Sequence, residues 1–128
     1  MSHQSTDPAF DAILAEIKYI SGRRIEEHRK RLHLTQERLA ARVGIGARWL
    51  REIEGGNPKS RLDDHIRCAH GLGLTCGFIL IPMMFQEHGV TFPRPLLFGD
   101  LADLERRCVA FIADHSLATL ARQMRATS

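Results

Sequence analysis

Eight residues in the middle of the chain, Ala47 to Glu54, set two arginines and two glutamates among regularly spaced apolar residues. On a helix, Ile45, Trp49, Leu50 and Ile53 fall within an arc of about 140°. Ala47, Arg48, Arg51 and Glu52 take the opposite arc. Such a segment has one side to bury and one to present. A guanidinium on the presented side matches the O6 and N7 acceptors of guanine in a major groove, and a carboxylate there can accept from cytosine N4. A guanidinium can also neutralise a phosphate. Arg48 is the candidate base reader, and Arg51 is read as a phosphate contact. Glu52 either accepts from a base or orients Arg48. The competing reading pairs Arg48 with Glu52, four residues on, across a solvated face.

Other chemistry is thinner. His65, Cys68, His70 and Cys76 include metal-ligating types, but His65 and His70 lie about 140° apart on a helix and no second compact ligand pair exists. No metal and no cofactor is expected. No nucleophile, base and orienter assemble, so no catalytic residue is assigned and the chain does not read as an enzyme. Asp63, Asp64, Asp100 and Asp103 read as charges at helix starts. Trp49 lies between Ile45 and Ile53 and reads as core-edge packing.

The elements that must position Arg48 follow from the neighbouring residues. Thr35 caps a helix over Gln36 to Val43, with Leu39, Ala40 and Val43 inward, and Gly44 ends it where a tight turn needs positive φ. Ala40 is small where two helices would cross. A second short helix over 47–54 stops at Gly55-Gly56, and Asn57-Pro58-Lys59-Ser60 is a turn. Two short helices joined by a glycine turn, the second presenting arginines, have the form of a groove-reading device. Before them, Asp7-Pro8 starts a helix carrying Phe10, Ile13, Leu14, Ile17 and Ile20. Ser21-Gly22 breaks or softens it, and a helical stretch to Leu32 turns Ile25 and Leu32 inward. After them, 62–72 is helical with Leu62, Ile66 and Ala69 inward. Residues 83–99 read as an irregular connection. Asp100 and Ser116 each cap a helix, with Cys108 on the inner face of the first.

Charge is concentrated in the same window. Residues 21–61 hold eleven basic residues against five acidic ones, a net of +6, although the whole 128-residue chain carries only +3. That concentration suits a phosphate backbone. A hydrophobic fraction of 44% supports a packed core. Three unpaired-looking cysteines suit a reducing compartment, the first seven residues lack a signal-peptide pattern, and no run is long enough to cross a bilayer. A cytoplasmic location without membrane contact is expected.

The run Leu34-Thr35-Gln36-Glu37-Arg38-Leu39-Ala40, through Gly44-Ile45 to Leu50, Ile53-Glu54 and Gly56, resembles the phage-repressor or XRE-type helix-turn-helix family. The likeness covers about residues 22–74, continuing through Ile66, Ala69, Leu72 and Leu74. It implies a phosphate contact for Gln36, base-edge positions for Ala47, Arg48 and Glu52, and Arg51 nearer the backbone. It further implies phosphate contacts for Asn57 and Lys59, and an internal ion pair between Arg29 and Glu54. Gly46 departs from the usual Ser or Thr, and Gly55 from the usual polar residue. A narrower resemblance, to HipB-type antitoxins, rests on Arg48 to Glu54 followed by Leu72-Gly73-Leu74 and a strand.

That strand is read at Thr75 to Pro82 from its β-prone run. With no second strand, it is expected to pair with its copy, Cys76, Phe78, Ile79, Leu80 and Ile81 forming a homodimer core on a two-fold axis. The expected architecture is mainly α: an N-terminal helical arm (1–20), a five-helix repressor-like helix-turn-helix domain (21–74), a dimerising strand (75–82) and a C-terminal helical extension (83–128). The expected function is a sequence-specific DNA-binding transcriptional regulator, a dimeric repressor on a palindromic double-stranded operator, with an autoregulating antitoxin as one form of it. The alternative is a protein-interaction module that neutralises a partner such as a toxin, with DNA binding secondary.

Overall fold

A computed structural model describes residues 7–93 and 101–126, and among them are six helices and no β-strand. Helix α1 is Pro8–Arg31, α2 Gln36–Val43, α3 Ala47–Glu54, α4 Leu62–Gly71 and α5 Gly77–Glu87. Helix α6 covers 102–126 as Ala102–Phe111, a π-helical turn Ile112–Leu117, and Ala118–Ala126. No described helix is long and apolar enough to cross a membrane.

Local signals set the helix ends. The Asp7 side chain accepts from the backbone N–H groups of Ala9 and Phe10, with Pro8 in the first turn. Four basic residues, His28 to Arg31, close α1 where carbonyls point outward. Thr35 Oγ1 accepts from Arg38 N, and Gly44 takes φ +80° to end α2.

Ser21-Gly22 does not interrupt α1, which is continuous across them, and both residues are buried. Glycine is there because α1 crosses the end of α3: a Cβ on Gly22 would lie 2.2 Å from the Ile53 carbonyl oxygen. The signal that reads as a breaker is a close helix crossing. Because it is unbroken, α1 serves two cores. Ile25 packs with Leu39, Ala40, Leu50, Ile53, Cys68 and Leu72, while Ile17 and Ile20 pack with Ala69, Phe78, Ile79, Phe92 and Leu101.

The expected strand over 75–82 is the main correction. Residues 77–87 are helical with Pro82 inside, and Phe78, Ile79 and Pro82 are buried at helical spacing. The β-prone run yields to the apolar face that α1 offers it. A helix bonds its own backbone, so no partner strand is needed. Phe78 and Ile79 are consumed by the chain's own core, Cys76 is the N-cap and only half-buried, Ile81 is half-buried, and Leu80 faces out. They therefore do not form the β-ribbon expected of them.

Other inward assignments shift too. Leu32 and Ile66 are exposed, and α4 turns His65 and Cys68 inward instead. Cys108 is exposed rather than core, and Ser116 lies inside α6 rather than capping a separate helix. The expected irregular connection begins later than 83, because 83–87 are the last residues of α5; its residues 94–99, and Asp100, expected to cap, lie outside the described residues.

Adding a methyl at the α1–α3 crossing forces two backbones apart. Gly22→Ala should lose about 3 kcal/mol of stability in urea unfolding, whereas alanine at Gly46, which has open space around its Cα, should be tolerated.

Candidate nucleic-acid interface

The site is built around α3, an eight-residue helix with Leu50, Ile53 and Glu54 buried and Arg48, Arg51 and Glu52 exposed. Its inner side is locked by an ion pair. Arg29 Nε donates to Glu54 Oε2 at 2.6 Å and Arg29 Nη2 to Glu54 Oε1 at 3.0 Å, both groups almost fully buried. Arg29 Nη1 also donates to the Leu34 carbonyl at 2.8 Å, and Gln36 Nε2 donates to Glu54 Oε1 at 2.9 Å. The Glu54 carboxylate thus ties α1, α2 and α3 together, and Arg29 extends the tie to the turn before α2. Its hydrogen bond raises the Arg29 pKa further above the ordinary value. Arg23 Nη2 donates to the Glu54 carbonyl at 3.0 Å, placing a cation at the end of α3 where the helix dipole favours one.

Trp49 is half-buried at the edge of this core, and its indole N–H donates to Asp64 Oδ2 at 2.7 Å, joining α3 to α4. On the outer face the neighbours of Arg48 are engaged elsewhere. Glu52 Oε1 accepts from Asn57 Nδ2 at 2.8 Å, and Arg51 Nη1 lies 3.8 Å from Glu37 Oε2. Arg48 is exposed, and among the described residues no hydrogen bond or ion pair holds it. The Arg48–Glu52 pairing does not form, because Glu52 turns toward the loop. Ala47 is half-buried at the head of the helix, and Lys59 is exposed.

The loop after α3 is held from three sides. Gly56 has φ +79° and lies against Tyr19, where any Cβ would meet the ring at 2.8 Å. Lys18 Nζ donates to the Pro58 carbonyl at 3.0 Å. Inside the loop, Asn57 Oδ1 accepts from Lys59 N at 2.9 Å, and Ser60 Oγ donates to the Asn57 carbonyl at 2.6 Å. Since that hydroxyl hydrogen is used, Ser60 Oγ must accept from His65 Nε2 at 2.8 Å, and His65 Nδ1 must accept from Ser21 Oγ at 2.7 Å. The imidazole is thereby fixed as the Nε2–H tautomer, and the chain Ser21–His65–Ser60–Asn57 links α1 and α4 to the loop.

Burial, with the Lys18 charge adding to it and Asp64 opposing it, pushes the His65 pKa down to about 4. Burial also pushes the Cys68 thiol up to about 12, which removes it as a nucleophile. Both His65 nitrogens are occupied by serines, and no described group of three or more His, Cys, Asp or Glu side chains gathers as a metal site.

The structure brings Arg48, Arg51, Glu52, Asn57 and Lys59 to one rim, α3 with the loop behind it. It turns the Gln36 amide inward. Composition and spacing single out His65 only as a metal-type residue. Its bonding to serines 44 positions before it and five before it, Ser21 and Ser60, has no sequence pattern.

A family model described as "Helix-turn-helix domain" matches residues 22–76. Residues 22–76 are a helix-turn-helix domain. No curated protein and no solved structure matches the chain. The helix-turn-helix domain begins inside α1 and ends at the cap of α5, leaving α5 and α6 outside it. DNA is the ligand that such a domain suggests.

Neutral His65 is favoured in the folded state, so the unfolded chain binds more protons between its ordinary pKa of 6.5 and about 4. Stability should therefore be full above that window and fall as pH drops through it, by about 2 kcal/mol from pH 7 to pH 5. Urea titrations across that range should show this slope, and His65→Asn should flatten most of it.

Proposed function

We propose that the chain is a sequence-specific DNA-binding transcriptional regulator that represses by occupying a palindromic operator as a dimer. The single observation behind this is the state of α3. Its inner face is locked by Glu54, Leu50 and Ile53, while Arg48 stands exposed and unbound on the outer face.

Laid into a major groove, Arg48 reads guanine and Ala47 packs against base edges. Glu52, held by Asn57, stands beside Arg48 to accept from a cytosine. Arg51 can leave its 3.8 Å contact with Glu37 for a phosphate, since an exposed pair at that distance is weak. Lys59 and Asn57 contact the backbone from the loop. Gln36 keeps one amide hydrogen, beyond its bond to Glu54, for a phosphate. The +6 charge of residues 21–61 supplies the attraction that does not depend on sequence.

The XRE-type likeness supports the repressor reading through the residues of the helix-turn-helix itself. The antitoxin form is weaker, because the HipB likeness leaned on a strand where the chain has α5.

An operator selected from random DNA gives the test. Arg48→Ala should weaken binding to that operator by roughly 1–3 kcal/mol and leave random-DNA binding nearly unchanged. Lys59→Ala should weaken both alike and reduce the slope of affinity against salt by about one. Failure to enrich any sequence from the random pool overturns the reading.

A further inference from the structure

Helix α6 has no buried residue along its 25 positions, although Leu101 just before it is buried and Leu104 packs partly on the core. Its apolar residues nonetheless follow a pattern. Val109 and Ile112 are three apart, and Leu117 and Leu120 are three apart, but the step from Ile112 to Leu117 is five. In an ordinary α-helix the eight-residue step from Val109 to Leu117, and from Ile112 to Leu120, sets the second pair about 80° round from the first. The π-helical turn over Ile112–Leu117 takes up the extra residue. It thereby carries Leu117 and Leu120 back into line with Val109 and Ile112, with Met124 continuing the row. Val109 is 67%, Leu117 60% and Leu120 50% exposed.

The two halves of this surface differ in shape. Beside the first half, α5 and α6 enclose an open groove of about 760 Å³ with Leu80, Met84, Cys108, Val109 and Ile112 among its walls. The second half is a bare ridge, Leu117 and Leu120. One chain therefore carries both a hole and a knob.

We infer that α6 pairs antiparallel with α6 of a second copy, about a two-fold axis near Ser116, each ridge filling the groove beside the other copy's α5. Shape favours a second copy as occupant, since an isologous contact needs both halves of the fit on one chain. Area agrees. The exposed apolar side chains of groove and ridge amount to on the order of 700 Å² per copy, against the ~800 Å² per partner of a standard stable interface. The surface supplies the dimer of the proposed function but is independent of its DNA contacts.

Sedimentation of the full chain at tens of micromolar should give a dimer. Leu117→Glu combined with Leu120→Glu should raise the dimer dissociation constant by roughly 100-fold or more, with Trp49 fluorescence and unfolding of the helix-turn-helix domain unchanged. In a chain whose Cys76 and Cys108 are replaced by Ser, Ser116→Cys should cross-link to its copy on copper–phenanthroline oxidation. Asp103→Cys should not, because in the antiparallel pair the two copies of that position lie ~40 Å apart. A monomer at these concentrations, a dimer that survives the double substitution, or cross-linking at both positions overturns the pairing. A dimer that enriches no DNA sequence leaves the pairing intact and removes only the DNA reading. A monomer that still selects an operator does the reverse.

Discussion

The carboxylate of Glu54 is the point on which the described fold turns. It lies at the last position of α3, is 1% exposed, and takes hydrogen bonds from Arg29 and Gln36. Removing one member of such a buried pair strands the other charge, a cost of about 3–5 kcal/mol. Replacing the whole pair by fitted apolar groups would cost far less, so its value lies in geometry rather than in net stability. The fork of Arg29 and the amide of Gln36 allow one orientation of the carboxylate. That orientation sets the rotation of α3 about its own axis, and hence the direction in which Arg48 points.

A second constraint works through α1. Because this helix runs unbroken from Pro8 to Arg31, its first half belongs to the core under α5 and its second half to the core under α3. Gly22 lies at the crossing with α3, and Lys18, Tyr19 and Ser21 reach the loop after α3, Ser21 through His65. The outer rim is thus held from behind by a helix that never touches its exposed side. Four exposed groups can then be presented with little freedom in the backbone that carries them, which lowers the ordering cost of any contact they make.

The helix-turn-helix was legible in the linear chain because its determinants are local. Thr35 caps within three residues, Gly44 takes its left-handed turn in place, and the two faces of α3 repeat at helical period. The error at 75–82 has the opposite origin. Phe78-Ile79-Leu80-Ile81 favours a strand by residue type, and Pro82 reads as its end. Neither signal knows that Ile17 and Ile20 lie alongside, and burial against them outweighs the modest β preference of the run. Cys108 and Ile66 were misplaced for a related reason: an apolar period says that a face exists, not which way the helix is rolled.

Period, caps and charge distribution in the sequence alone determined that residues 35–55 would form two short helices with arginines on one outer face. Those properties depend on neighbours within one or two turns. Only the tertiary structure decided that Glu52 turns to Asn57 and leaves Arg48 free, that His65 is a bridge between serines, and that the segment after Leu74 is a helix. Each of these depends on groups brought together from distant parts of the chain, where burial and hydrogen-bond satisfaction, rather than local preference, choose among the conformations available.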